Sequence, residues 1–159
     1  VPLAGRGARV TAFDNASVGL TKARQWAAES DVTIDFRLAD IEAWNWGARE
    51  FDVVLAVFIQ FLPPQRRTAV FAGMGAALRP GGLLLLHGFA PRQVDYGTGG
   101  PGRAENLYTL PMLRDAYPDY EVLHAADYDA DQSSGGGHSG RAALIDFVAR
   151  KPGAAAAAG

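Results

Sequence analysis

Apolar positions along the chain switch repeatedly between the alternating spacing of strands and the three-to-four-residue spacing of helices. Arg9 to Phe13 reads as a first short strand, preceded by a helical tail, Val1 to Ala4, that Gly5 and Gly7 end. Ser17 to Glu29 follows as a helix with Leu20, Ala23 and Ala27 on one face. Ile34, Phe36 and Leu38 alternate with Asp35 and Arg37, which predicts a half-buried strand ending at Ala39 and Asp40. The unbroken apolar run Val53 to Phe58 predicts a central strand covered on both faces. Pro63 and Pro64 open a helix whose stripe is Val70, Phe71, Met74, Ala77 and Leu78, and Arg79-Pro-Gly-Gly82 ends it before a strand over Leu83 to His87.

Beyond that strand the period is lost. Residues 90–106 are rich in glycine and longer than an ordinary connection, the signature of a lid or binding loop. Thr109 is placed to cap a short helix through Ala116. Glu121 to Ala126 and Ala142 to Ala149 then read as a closing antiparallel hairpin around Asp131-Gln-Ser-Ser-Gly-Gly-Gly137. Strands alternating with helices imply an α/β fold, a doubly wound and mostly parallel Rossmann-like sheet that ends in an antiparallel hairpin.

A chain of 159 residues with 48% hydrophobic and 20% charged residues supplies one core, so one domain is expected over 1–152, with a low-complexity Ala/Gly tail over 153–159 that carries no function. A net charge of −2 without a basic stripe argues against nucleic acid and against a membrane surface. The longest apolar run is too short to cross a bilayer and the first residues do not form a signal peptide, so a cytoplasmic location is expected. Absence of cysteine removes disulfides, thiolate metal sites and a cysteine nucleophile.

Asp14 ends the first strand, where doubly wound nucleotide-binding folds place an acid against a ribose. The glycine-rich turn of such folds lies about 20 residues earlier. That count passes the start of the chain, so the expectation is a domain beginning just after its own glycine loop, with the first strand missing. An aspartate closing a strand serves equally well as a turn or helix cap, and Asp40 carries the same two readings. Asp52, at the opposite end of its strand from where ligands gather, is expected to pair with backbone. Gly97-Thr-Gly-Gly-Pro-Gly102 has dinucleotide-motif spacing but opens no helix, and Asp127-x-Asp129-x-Asp131 starts like a calcium loop that Gln132 breaks. His87, His124 and His138 lack ligand spacing, so no metal is expected.

The ordered set Val10-Thr-Ala-Phe-Asp14, Leu38-Ala-Asp-Ile41, Phe51-Asp-Val-Val54, Leu78-Arg-Pro-Gly-Gly-Leu-Leu-Leu85 and Val148-Ala-Arg-Lys-Pro152 resembles the class I S-adenosylmethionine-dependent methyltransferases, especially the small-molecule group with the tellurite-resistance and thiol methyltransferases. The resemblance implies strand order 3-2-1-4-5-7-6 and S-adenosyl-L-methionine as cofactor. It also implies that Asp14 and Asn15 hold the ribose, that Asp40 and Ile41 border the adenine, and that Val57 lines the methionine end. For a small-molecule acceptor that must lose a proton, His87 is the first candidate base and His138 the second, while Tyr96 and Tyr108 flank the glycine-rich loop as candidate acceptor-pocket residues. Packing and surface roles compete for all four. Rival readings are a nicotinamide-dependent oxidoreductase, disfavoured by the absence of a Tyr-x-x-x-Lys pair, and a truncated binding or dimerising module whose open strand edges pair in a homodimer.

Overall fold

The computed structural model describes residues 1–134 and 138–154, with the side chains of 132–139 outside that description. The chain divides into two compact units, Val1–Asn45 and Trp46–Gly159.

In the first unit a 3-10 turn, Ala4–Arg6, is closed by Gly7 in the left-handed region at φ 89°. It leads into β1 (Thr11–Asp14), α1 (Ser17–Glu29) and β2 (Asp35–Leu38). β1 and β2 pair in parallel, Asp14 opposite Leu38, the product of a strand–helix–strand crossover. α1 has the expected bounds and buries Leu20 and Ala27. Phe36 is half-buried, but Leu38, expected inside, is 62% exposed. Phe13 stacks on Trp44 with centroids 4.3 Å apart.

The second unit holds β3 (Phe51–Val57), α2 (Pro64–Ala77), β4 (Leu78–Phe89), α3 (Gln93–Tyr96), α4 (Leu110–Ala116), β5 (Glu121–Ser134) and β6 (His138–Arg150). Its sheet runs β3-β4-β6-β5, with β3 and β4 parallel and β6 antiparallel to both neighbours. Within each sheet the neighbours are those of the order 3-2-1-4-5-7-6, its 3-2 part in the first unit and its 4-5-7-6 part in the second. Among the described residues, β1 pairs with β2 alone and β3 with β4 alone.

One sheet face is a core. Leu84, Leu86, Ile145, Phe147 and Ala149 are nearly inaccessible there, and α2 contributes Val70, Phe71, Met74 and Ala77. Gly75 and Leu78 carbonyls at the α2 terminus accept from Lys151 Nζ at 2.6 and 2.8 Å, which satisfies groups a helix end leaves open. The other face carries Val53, Leu55 and Val57 at 43, 51 and 48% exposure. β3 is therefore an edge strand covered on one face, not the doubly covered central strand its apolar run predicts. Arg79 to Gly82 does not separate helix from strand either. It belongs to β4 as a bulge, where the register jumps between Phe51↔Leu78 and Val53↔Leu83.

The closing hairpin is much longer than expected. Asp127, Asp129 and Asp131 are strand residues of β5, and no cluster of metal-ligating side chains occurs among the described residues. The turn at 135–137 and the end of the tail at 155–159 lie outside the described residues.

Candidate functional site

Asp14 and Asp40 stand at the same end of the first unit's two-stranded sheet, past the carboxyl ends of parallel strands, where such sheets bind ligands. Both side chains are exposed. Asp14 Oδ1 accepts from Ala16 N–H at 2.8 Å and Asp40 Oδ1 from Glu42 N–H at 2.9 Å. Each acid thus caps a local turn with one oxygen, and among the described residues the second oxygen accepts no hydrogen bond. Asn15 is exposed beside Asp14, and Ile41 is a core residue at 6% exposure.

In the second unit, Val57, His87 and Asp146 form a row across three strands, since Val57 pairs with His87 and His87 with Asp146. All three project from the sheet's open face. His87 Nδ1 lies 2.6 Å from Asp146 Oδ1, with 28 and 30% of the two side chains exposed. Tyr128 stands two residues along β5 from Ala126, which faces Asp146, and its hydroxyl pKa is raised, by burial first and then by the Asp146 carboxylate. Phe58 presents its edge to His87 at 4.8 Å between centroids and packs on Phe89 at 4.6 Å. Its φ of 53° is unusual for a bulky side chain, and its N–H donates to the His87 carbonyl at 2.9 Å. Strained backbone of this kind is held only where the surroundings over-determine it, commonly at functional sites.

Gln60 fixes that corner. Its Nε2 donates to the Phe89 carbonyl at 2.7 Å, its Oε1 accepts from Phe89 N–H at 2.6 Å, and it is 1% exposed. Gly88 is required alongside, because a Cβ there would meet Gln60 Oε1 at 2.6 Å.

The loop over 90–106 is stapled to the hairpin. Gln93 accepts from Ala143 N–H at 2.8 Å and donates to Thr98 Oγ1 and the Gly99 carbonyl at 3.0 and 3.1 Å. Arg92 bridges Asp127 and Asp129, and the Tyr96 hydroxyl donates to Asp129 Oδ2 at 2.8 Å. That hydroxyl, followed by Arg92, holds the Asp129 carboxyl below its usual range. Tyr96 is thereby committed to an ion-pair cluster. Tyr108 is a core side chain, 1% exposed and edge-on to Phe71, with burial pushing its hydroxyl pKa far up. His138 begins β6, but its side chain lies outside the described residues. Asp52 forms an ion pair with Arg79 at 2.8 Å rather than a backbone contact.

Sequence reasoning passed over Asp146, Tyr128 and Gln60. A signal existed for two of them: Asp146 is the one charged residue in Ala142–Ala149, and Gln60 the one polar residue in Val53–Leu62.

The model of a family described as a methyltransferase domain matches residues 1–82. The chain belongs to that family. The match places it among the class I S-adenosylmethionine-dependent methyltransferases that the sequence resembles. It is 44% identical over 84 residues to a ubiquinone biosynthesis O-methyltransferase of Methylocella silvestris, covering 52% of this chain and 32% of that protein. It is 40% identical over 84 residues to a carboxy-S-adenosyl-L-methionine synthase of Shewanella amazonensis, covering 52% and 34%. The chain therefore spans about a third of the length of these curated relatives. The crystal structure of TehB from Haemophilus influenzae superposes with a TM-score of 0.74 at 20% identity, over 94% of this chain and 52% of that one, a likeness of fold. Within this methyltransferase chain the family match contains Asp14, Asn15, Asp40, Ile41 and Val57, while His87, Tyr96, Tyr108 and His138 lie beyond it.

Proposed function

We propose that residues 1–152 act as a methyltransferase domain that binds S-adenosyl-L-methionine and methylates a small-molecule acceptor. The observation that carries this reading is the pair of strand-end carboxylates, Asp14 and Asp40, inside the family match. An ionised carboxylate only accepts hydrogen bonds and a ribose diol donates them, so the uncommitted Asp14 oxygen has the chemistry the ribose requires. Asn15 adds donors and acceptors beside it, Asp40 and Ile41 serve the adenine, and Val57 offers an apolar wall to the methionine end. The cofactor, when bound, supplies a sulfonium-activated methyl group, transferred as the carbon–sulfur bond breaks with its electron pair on sulfur. The chain's share is then orientation, exclusion of water and, for an acceptor that must be deprotonated, the His87 imidazole as base. His138 is the second candidate for that role. Tyr96 enters the acceptor side only by positioning Asp129 and the stapled loop, and Tyr108 by supporting it from the core.

Calorimetry with S-adenosylhomocysteine tests the reading. Binding by the chain is expected, and Asp14→Ala is expected to weaken it by roughly ten- to a hundredfold, the equivalent of a charge-assisted hydrogen bond of about 1.5–3 kcal/mol. Absence of binding, or preference for a nicotinamide dinucleotide, would overturn it.

A further inference from the structure

The His87–Asp146 contact sits where the strand register forces it. His87 faces Asp146 across an antiparallel pair, and side chains at facing positions of a sheet touch. Asp146 is an acid set in the otherwise apolar strand Ala142–Ala149, so burial of packing surface does not account for it. An ionised carboxylate has no proton to give, so the 2.6 Å contact requires the proton on His87 Nδ1. Nε2 is then the ring's bare nitrogen. On the far side Ala126 faces Asp146, and Tyr128, two residues on, stands diagonal to it. Tyr128 itself packs against the cluster of Phe89, Leu107, Ala142 and Leu144, which fixes its ring. Phe58 closes the remaining side of the imidazole with its ring edge. The imidazole is thus held between a carboxylate at Nδ1 and an aromatic edge.

We propose that Asp146 is a positioning residue that holds His87 in its Nδ1–H form, with Nε2 poised to accept a proton from the methyl acceptor. The proposal rests on the methyl-transfer reading given above. In the step itself the acceptor's heteroatom–hydrogen bond breaks, the proton joins Nε2, and the electron pair stays on the heteroatom as the nucleophile for the sulfonium methyl. The imidazolium that forms is stabilised by the carboxylate at Nδ1, and its proton passes to solvent, since the pair is partly exposed. An acceptor with an ionisable hydroxyl, thiol or ammonium group fits this arrangement.

Long-range proton–nitrogen correlation spectra of the full chain, recorded where the imidazole is neutral, separate the two ring forms. His87 is assigned by the signal lost in His87→Gln. The Nδ1–H form is expected in the wild-type chain. Asp146→Ala should convert most of the ring to the Nε2–H form, and Asp146→Asn, whose amide oxygen still accepts from Nδ1–H, should give a mixture of the two. A wild-type ring in the Nε2–H form, or the same form in all three proteins, would overturn the proposal. Cofactor binding is read separately: a locked Nδ1–H ring in a chain that ignores S-adenosylhomocysteine would sink the methyl-transfer reading and leave the positioning intact, while the reverse result would do the opposite.

Discussion

Gln60 shows how one polar side chain organises the corner where β3 and β4 end. Its amide closes a two-way bridge with the Phe89 backbone in a position with 1% exposure. Gln60→Leu removes the acceptor of the buried Phe89 N–H, at a cost of about 1–3 kcal/mol, while the Phe89 carbonyl keeps its bond from Tyr108 N–H at 3.1 Å. The expected outcome is a clear drop in the urea midpoint, with Gln60→Glu, which keeps an acceptor, intermediate. An unchanged midpoint would mean that the corner relaxes around the leucine. His87 was visible in the sequence as a strand-end titratable group, whereas the Asp146 beside it was visible only as an anomaly in an apolar run. Their meeting depends on a pairing 59 residues apart in the chain. Tyr96 and Tyr108 had the residue types of a pocket, yet hydrogen bonding in one case and burial in the other assign them to ion-pair positioning and core packing.

At the level of elements, helices were legible nearly to the residue: α1 and α4 have the bounds that periodicity and the Thr109 cap imply. β3 was not. An unbroken apolar run reports that both faces are suited to burial, and it says nothing about what covers them. In the structure α2 lies over one face, and Val53, Leu55 and Val57 are left accessible on the other along an edge that, among the described residues, pairs with β4 alone. Such an edge is a template for further pairing. Light scattering is therefore expected to show association that grows with protein concentration. Leu55→Lys, which places a charge on the accessible face, should suppress that association while changing stability by only about 0.5 kcal/mol. Equal association of the two proteins would remove β3 as its cause. In the loop over 90–106 glycine content signals permissive backbone and cannot reveal the Gln93 and Arg92 staples that hold it.

For the molecule as a whole, the buried tyrosines set a pH limit. Burial raises the hydroxyl pKa of both Tyr108 and Tyr117, and Tyr117 also donates to the Phe71 carbonyl at 3.0 Å. In the unfolded chain these groups ionise near pH 10. Stability from keeping them neutral is thus fully present below about pH 10 and is lost as pH rises above it, because the unfolded state then binds fewer protons. Alkaline unfolding followed by circular dichroism should begin there, with a shallower pH dependence in Tyr117→Phe. Identical profiles would assign the transition to other groups. The sequence by itself determined the α/β class, the order of strands and helices, the parallel and antiparallel connections and the acids at the ends of β1 and β2, since all of these follow from local periodicity, turn chemistry and short crossovers. Only the tertiary structure decided which face of β3 is covered, that the glycine-rich loop is tied down, and that His87 meets Asp146. Strand register is set by hydrogen bonds between distant segments, and a slip of one residue would have turned the two side chains to opposite faces of the sheet.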